Sequence, residues 1–109
     1  MCNNLKGAPY QSSENEDDDF VVAGEALDRL INIALSGDHG GARRVADFLL
    51  AWWNGPDQGH FAVIEITYLD YEIGLDVLTI LTFLNQYGVH YADAWDRRQS
   101  IEAIIDKWR

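Results

Sequence analysis

Residues 42–55, Ala42-Arg43-Arg44-Val45-Ala46-Asp47-Phe48-Leu49-Leu50-Ala51-Trp52-Trp53-Asn54-Gly55, decide the fold. Ala42, Val45, Ala46, Leu49 and Trp53 recur at the three- and four-residue spacing that lines one side of an α-helix, and Phe48 and Trp52 widen that stripe. So broad an apolar arc predicts a helix that starts near Gly40 or Gly41, is buried on more than one side and lies at the centre of the domain. It stops in Asn54-Gly55-Pro56-Asp57-Gln58-Gly59, where Asn, Gly and Pro supply turn geometries that a helix cannot continue.

The flanking sequence repeats the pattern. Leu27, Leu30, Ile31 and Ala34 share one helical face, predicting a helix from about Val22 to Leu35 with Gly37 as its stop. Asp70 is a plausible N-cap for a third helix reaching about Tyr87, with Ile73, Val77, Ile80, Leu81 and Leu84 as its stripe and Gly88 as its end. Ile101, Ile104, Ile105 and Trp108 predict a fourth helix over about Asp96 to Trp108. Amphipathic helices joined by short loops bury their stripes against one another, so the expected fold is all-α, a compact four-helix bundle. Its expected core holds Leu30, Val45, Leu49, Trp53, Leu81, Ile104 and Trp108. The β-branched and aromatic residues from His60 to Tyr68 predict a short extended segment near 60–68. Residues 1–19, ending in Glu14-Asn15-Glu16-Asp17-Asp18-Asp19, have too little apolar area to offset their ordering and read as a disordered acidic tail before one helical domain at 20–109.

The chain carries 18 acidic and 8 basic residues in 109, a formal charge of −10, which disfavours direct binding to nucleic acid or to anionic membrane surfaces and favours a basic protein partner. The longest apolar run, Phe48 to Trp53, is far too short to span a bilayer. Met1-Cys2-Asn3-Asn4-Leu5-Lys6 lacks the apolar core of a secretory signal, so a cytoplasmic location is expected. Cys2 is the one cysteine, which excludes an intramolecular disulfide and a cysteine-rich metal site.

Motifs for chemistry are sparse. His39, His60 and His90 lie far apart with no close His pair, and no P-loop, Gly-x-Gly-x-x-Gly loop or nucleophile elbow is present, so neither metal, cofactor nor catalytic residue is expected. Gly40-Gly41 with Arg43 and Arg44 reads as helix punctuation with exposed arginines rather than an anion site. Glu72 and Asp76 stand four apart on one helical face, but carboxylates on an outward face are ordinarily just solvated. Most of the tryptophans fall on helical stripes, leaving Tyr91 and Trp95 in the last loop as the expected partly exposed aromatics.

Charge segregation stands out. No Lys or Arg occurs from Val45 through Asp96, whereas Asp47, Asp57, Glu65, Asp70, Glu72, Asp76, Asp93 and Asp96 all do. The candidate partner-binding residues are therefore Glu65, Asp70, Glu72 and Asp76, edged by Tyr91 and Trp95. Arg43 to Asn54, Gly59 to Phe61, Asp70 to Val77 and the closing Trp108-Arg109 together resemble a family of small bacterial proteins of unknown function carried on integrative and conjugative elements. The likeness covers roughly residues 25–109, and Val63-Ile64-Glu65-Ile66 is more apolar than the pattern. It implies a shared fold and a mobile-element context, with no catalytic residue to carry over. The expected function is a non-enzymatic, acidic protein-interaction module, such as an inhibitor of nucleic-acid-binding host defence machinery. The alternative is a structural or regulatory subunit assembling through apolar surface such as Phe61-Ala62-Val63-Ile64.

Overall fold

A computed structural model describes residues 15–58 and 60–109. Within them the chain forms four α-helices, α1 (Glu16–Ser36), α2 (Gly40–Gln58), α3 (Tyr71–Tyr87) and α4 (Arg98–Trp108), with 3-10 turns at Val63–Tyr68 and Ala92–Trp95 and no strand. The helices bury a single core in which Leu30, Val45, Leu49 and Ile104 have no exposed surface, as the stripes require. Trp53 and Trp108 pack half-buried at its edge. Leu81, expected inside, is 44 % exposed.

α1 begins earlier than its stripe suggests. Asn15 caps it, its side-chain oxygen accepting from the amides of Asp17 and Asp18 at 3.0 and 3.3 Å, and the acidic run 16–19 forms its first turn rather than a tail. Carboxylates there favour the positive end of the helix dipole, which converts an apparent solubilising run into a start signal. The rest of the proposed tail, residues 1–14, lies outside the described residues. Asp19 is buried and accepts a hydrogen bond from the Tyr87 hydroxyl, fastening the start of α1 to the end of α3. At its other end α1 has no basic residue of its own. α4 supplies the missing donors: Lys107 Nζ reaches the carbonyls of Leu35 and Gly37 at 2.9 and 2.6 Å, and the Trp108 indole that of Ala34 at 2.8 Å.

The central helix is α1, not α2. α1 packs on α3, α2 and α4, whereas α2 has α1 and α4 as its main partners and hardly touches α3. His39 Nδ1 accepts from the Ala42 amide at the start of α2, and the predicted break appears at Asn54, whose φ of −162° and ψ of 74° leave the helical region. The segment expected to be extended instead winds into the Val63–Tyr68 turn, closed by Glu65 N–H to Ala62 O at 2.9 Å and by Thr67 Oγ1–H to Ile64 O at 2.7 Å. With no strand to pair with among the described residues, an extended stretch here would strand its amides, and a 3-10 turn satisfies some of them locally.

Candidate interaction surface

The four acids expected to form one face are split by the fold. Asp76 is held by Arg29 through two hydrogen bonds of 3.0 and 2.9 Å, and its side chain is only 14 % exposed. That hydrogen bonding, with the charge of Asp76 behind it, raises the Arg29 pKa above its ordinary value. Glu65 sits 3.4 Å from Arg44 Nε, an ion pair without hydrogen-bond alignment, and the same guanidinium lies 5.0 Å over the Tyr68 ring. Asp70 and Glu72 are exposed at the start of α3 and make no ion pair among the described residues. The Lys/Arg-free interval is thus neutralised in part by arginines that lie outside it in sequence. Arg29, Arg44, Arg97, Arg98, Lys107 and Arg109 are all in ion pairs, leaving Arg43 as the one described cation outside them.

Of the two edging aromatics, only Tyr91 is at the surface, 44 % exposed and edge-on to Trp53 at 6.3 Å. Trp95, expected to be partly exposed, is buried. Its ring stacks on Phe20 at 4.6 Å and 11°, and its indole N–H donates to the Phe20 carbonyl at 2.8 Å. Gly24 leaves the space, since a Cβ there would come within 2.7 Å of Trp95 Cδ1. Asp96, in the left-handed region at φ 60°, ends the 92–95 turn. Trp52 likewise donates to His90 O at 2.8 Å, so the indole N–H groups of Trp52, Trp95 and Trp108 all serve the fold.

The most apolar of the surface hollows lies elsewhere. Because α2 and α3 hardly touch, a groove of about 390 Å³ runs between them, walled by Phe48, Trp52, Phe61, Ile66, Leu78 and Leu81. Its floor is fixed by aromatic contacts, Phe48 to Phe61 at 5.6 Å and Phe48 to Trp52 at 6.4 Å. Val63 and Ile64 on its 3-10 side are 83 % and 65 % exposed. Ile66 and Leu78 also line a second hollow of about 360 Å³ with Leu69, Asp70, Tyr71 and Leu75, which extends the apolar strip toward the start of α3. The sequence flagged Phe61 to Ile64 but not α3's contribution; the signal was a second α3 stripe, Leu75, Leu78 and Leu81, beside the core-facing one.

The matching family gives this geometry its place. The chain belongs to DUF7673, a family of unknown function. Its model matches residues 24–109. No curated protein and no solved structure matches the chain. Within this DUF7673 domain, the residues of the 43–54 segment and the closing Trp108-Arg109 act as ties: Arg109 reaches Asp47 at 2.7 Å, Arg98 lies 5.6 Å over the Trp53 ring, and Asn54 donates to Asp57 at 3.0 Å. Among the described residues no group of three or more His, Cys, Asp and Glu is placed to hold a metal ion, and no helix is long and apolar enough to cross a membrane.

Proposed function

We propose that this DUF7673 domain is a non-enzymatic protein-interaction module that binds a basic protein through the open face made by α3 and the Val63–Tyr68 turn. The observation that carries this reading is the exposure of Val63 and Leu81 on an apolar groove, with Asp70, in no ion pair among the described residues, lining the adjacent hollow. Apolar burial supplies affinity, while the acids and the −10 charge steer a cationic partner and reject anionic ones. The resemblance to proteins of integrative and conjugative elements suggests the partner's class, a cytoplasmic nucleic-acid-binding protein of host defence, whose Lys and Arg respond to carboxylates as they do to phosphates. The groove itself favours a second reading, a structural or regulatory subunit that assembles through the same apolar surface.

Capture of host proteins on the immobilised domain, followed by affinity measurement at low and high salt, separates the two. A basic partner whose binding weakens with salt, and weakens by about tenfold or more in Asp70→Lys, supports the first. Salt-insensitive binding that this variant leaves unchanged supports the second.

A further inference from the structure

We infer that the groove between α2 and α3 receives one face of a basic amphipathic helix. This inference rests on the interaction-module reading and names the partner's binding element. The groove and the second hollow adjoin along α3 from Tyr71 to Leu81, with Ile66 and Leu78 between them, and together make the trough. At the helical rise that stretch is about 15 Å long, the length of roughly three turns of a partner helix. The walls of the groove are apolar throughout, and the Trp52 indole N–H is already committed to His90 O. No polar group is left in the groove to orient a small polar ligand, whereas a row of leucine-like side chains at three- and four-residue spacing needs none.

Charge selects among helices. Glu65 beside the groove is matched by Arg44, but Asp70 lines the second hollow, exposed and in no ion pair among the described residues. A helix with Lys or Arg flanking its apolar face completes it. A second copy of this chain does not: six of its seven described cations are engaged internally, which leaves Arg43, and two chains of −10 repel.

The probe is a synthetic amphipathic peptide of about 18 residues, long enough for helix formation, built from Leu on one face and Lys on the other, with a Leu/Glu peptide as its counterpart. Titrated into the isotopically labelled full chain, the Leu/Lys peptide should shift the amide resonances of Phe61, Val63, Ile66, Leu78 and Leu81. The Leu/Glu peptide should bind about tenfold more weakly or worse, and Val63→Asp and Leu81→Asp should each weaken Leu/Lys binding by about the same factor. Val63 is 83 % exposed, so its variant keeps the fold, as circular dichroism would verify. Shifts confined to another surface, equal binding of both peptides, or no binding would overturn the inference. So would a dimer seen by sedimentation and dispersed by Leu81→Asp, which would make a second copy the occupant. If a captured host partner is lost by Asp70→Lys but kept by both groove variants, the helix-in-groove assignment fails while the module reading stands. Retention by all of them overturns both.

Discussion

The two long sides of α3 carry similar residues and meet opposite fates. On the closed side, Ile80 and Phe83 are at most 1 % exposed, and Phe83 packs edge-on to Phe20 and Trp95. On the other side Leu78 and Leu81 border a trough that α2 never closes, and Leu81 keeps 44 % of its surface. Apolar periodicity therefore states which residues lose by contact with water, but not whether the chain itself covers them. The difference is one of coverage, and substitutions on either side should respond accordingly.

The largest contrast is expected from Leu49→Ala, in α2 within the closed core. Leu49 has no exposed surface, and truncation there should cost about 2–5 kcal/mol, the sum of lost burial and an unfilled cavity. Leu81→Ala, by comparison, removes a side chain that is already partly wet, and its cost should stay below about 1.5 kcal/mol by area. Chemical denaturation of both variants checks the pair. Equal losses would mean that the trough is closed in solution and the comparison collapses.

Gly24→Ala tests how tightly the closed side is assembled. In an open helix the change would be favourable by about 0.5–1 kcal/mol. Here the new Cβ would stand 2.7 Å from Trp95 Cδ1 and 3.1 Å from Nε1, and the indole is pinned by its stack on Phe20 and its hydrogen bond to the Phe20 carbonyl. Overpacking costs about 1–3 kcal/mol and should win, giving a net loss of about 1–2 kcal/mol in thermal or chemical unfolding. A stabilised variant would show that Trp95 can leave its seat.

Tyr87 reports on the same side through pH. Its hydroxyl donates to the Asp19 carboxylate, and that hydrogen bond, with burial and the Asp19 charge adding to it, pushes its pKa up from 10.0 to about 12. A raised folded-state pKa means the contribution is fully present below the unfolded value and disappears as pH climbs through the folded one. The thermal midpoint of wild type should therefore fall between pH 10 and about 12 more steeply than that of Tyr87→Phe, which lacks the titrating donor. Parallel profiles would separate Tyr87 from Asp19.

The contrast also marks where sequence carries structure and where it does not. The stops of α2 and α3 are readable because local chemistry sets them: Asn54 breaks the helix, and Gly88 takes φ 90° after Tyr87, whereas the Asp70 side chain makes no capping hydrogen bond at the start of α3. The acidic run misled because its carboxylates serve equally as a solvated tail and as a first helical turn, and only Asn15 at the cap distinguishes them. Trp95 was misplaced because its seat depends on Phe20 and Gly24, some seventy positions away. The acidic face dissolved for the same reason, since Arg29 and Arg44 reach Asp76 and Glu65 through space rather than along the chain. The open trough was half visible as Phe61 to Ile64, but its other wall required knowing that α1, not α2, covers α3.

Gly74→Ala should have the smallest effect on stability, and the opposite sign. Gly74 lies inside α3, and a Cβ there meets nothing closer than Ile66 Cγ1 at 3.8 Å, an ordinary contact, at a φ any residue adopts. Nothing resists the usual helix-propensity gain, so the variant should be more stable by about 0.5–1 kcal/mol in a chemical denaturation series. The added methyl, however, occupies the hollow shared with Ile66, Leu75 and Leu78. If that hollow receives a side chain of a partner helix, the stabilised protein should bind the Leu/Lys peptide more weakly than wild type, a trade of binding for stability absent from the closed side. Higher stability with unchanged peptide affinity would confine the receptor surface to the groove beside Phe48 and Phe61, and lower stability would mean that Ile66 and Gly74 pack more tightly than the trough geometry requires.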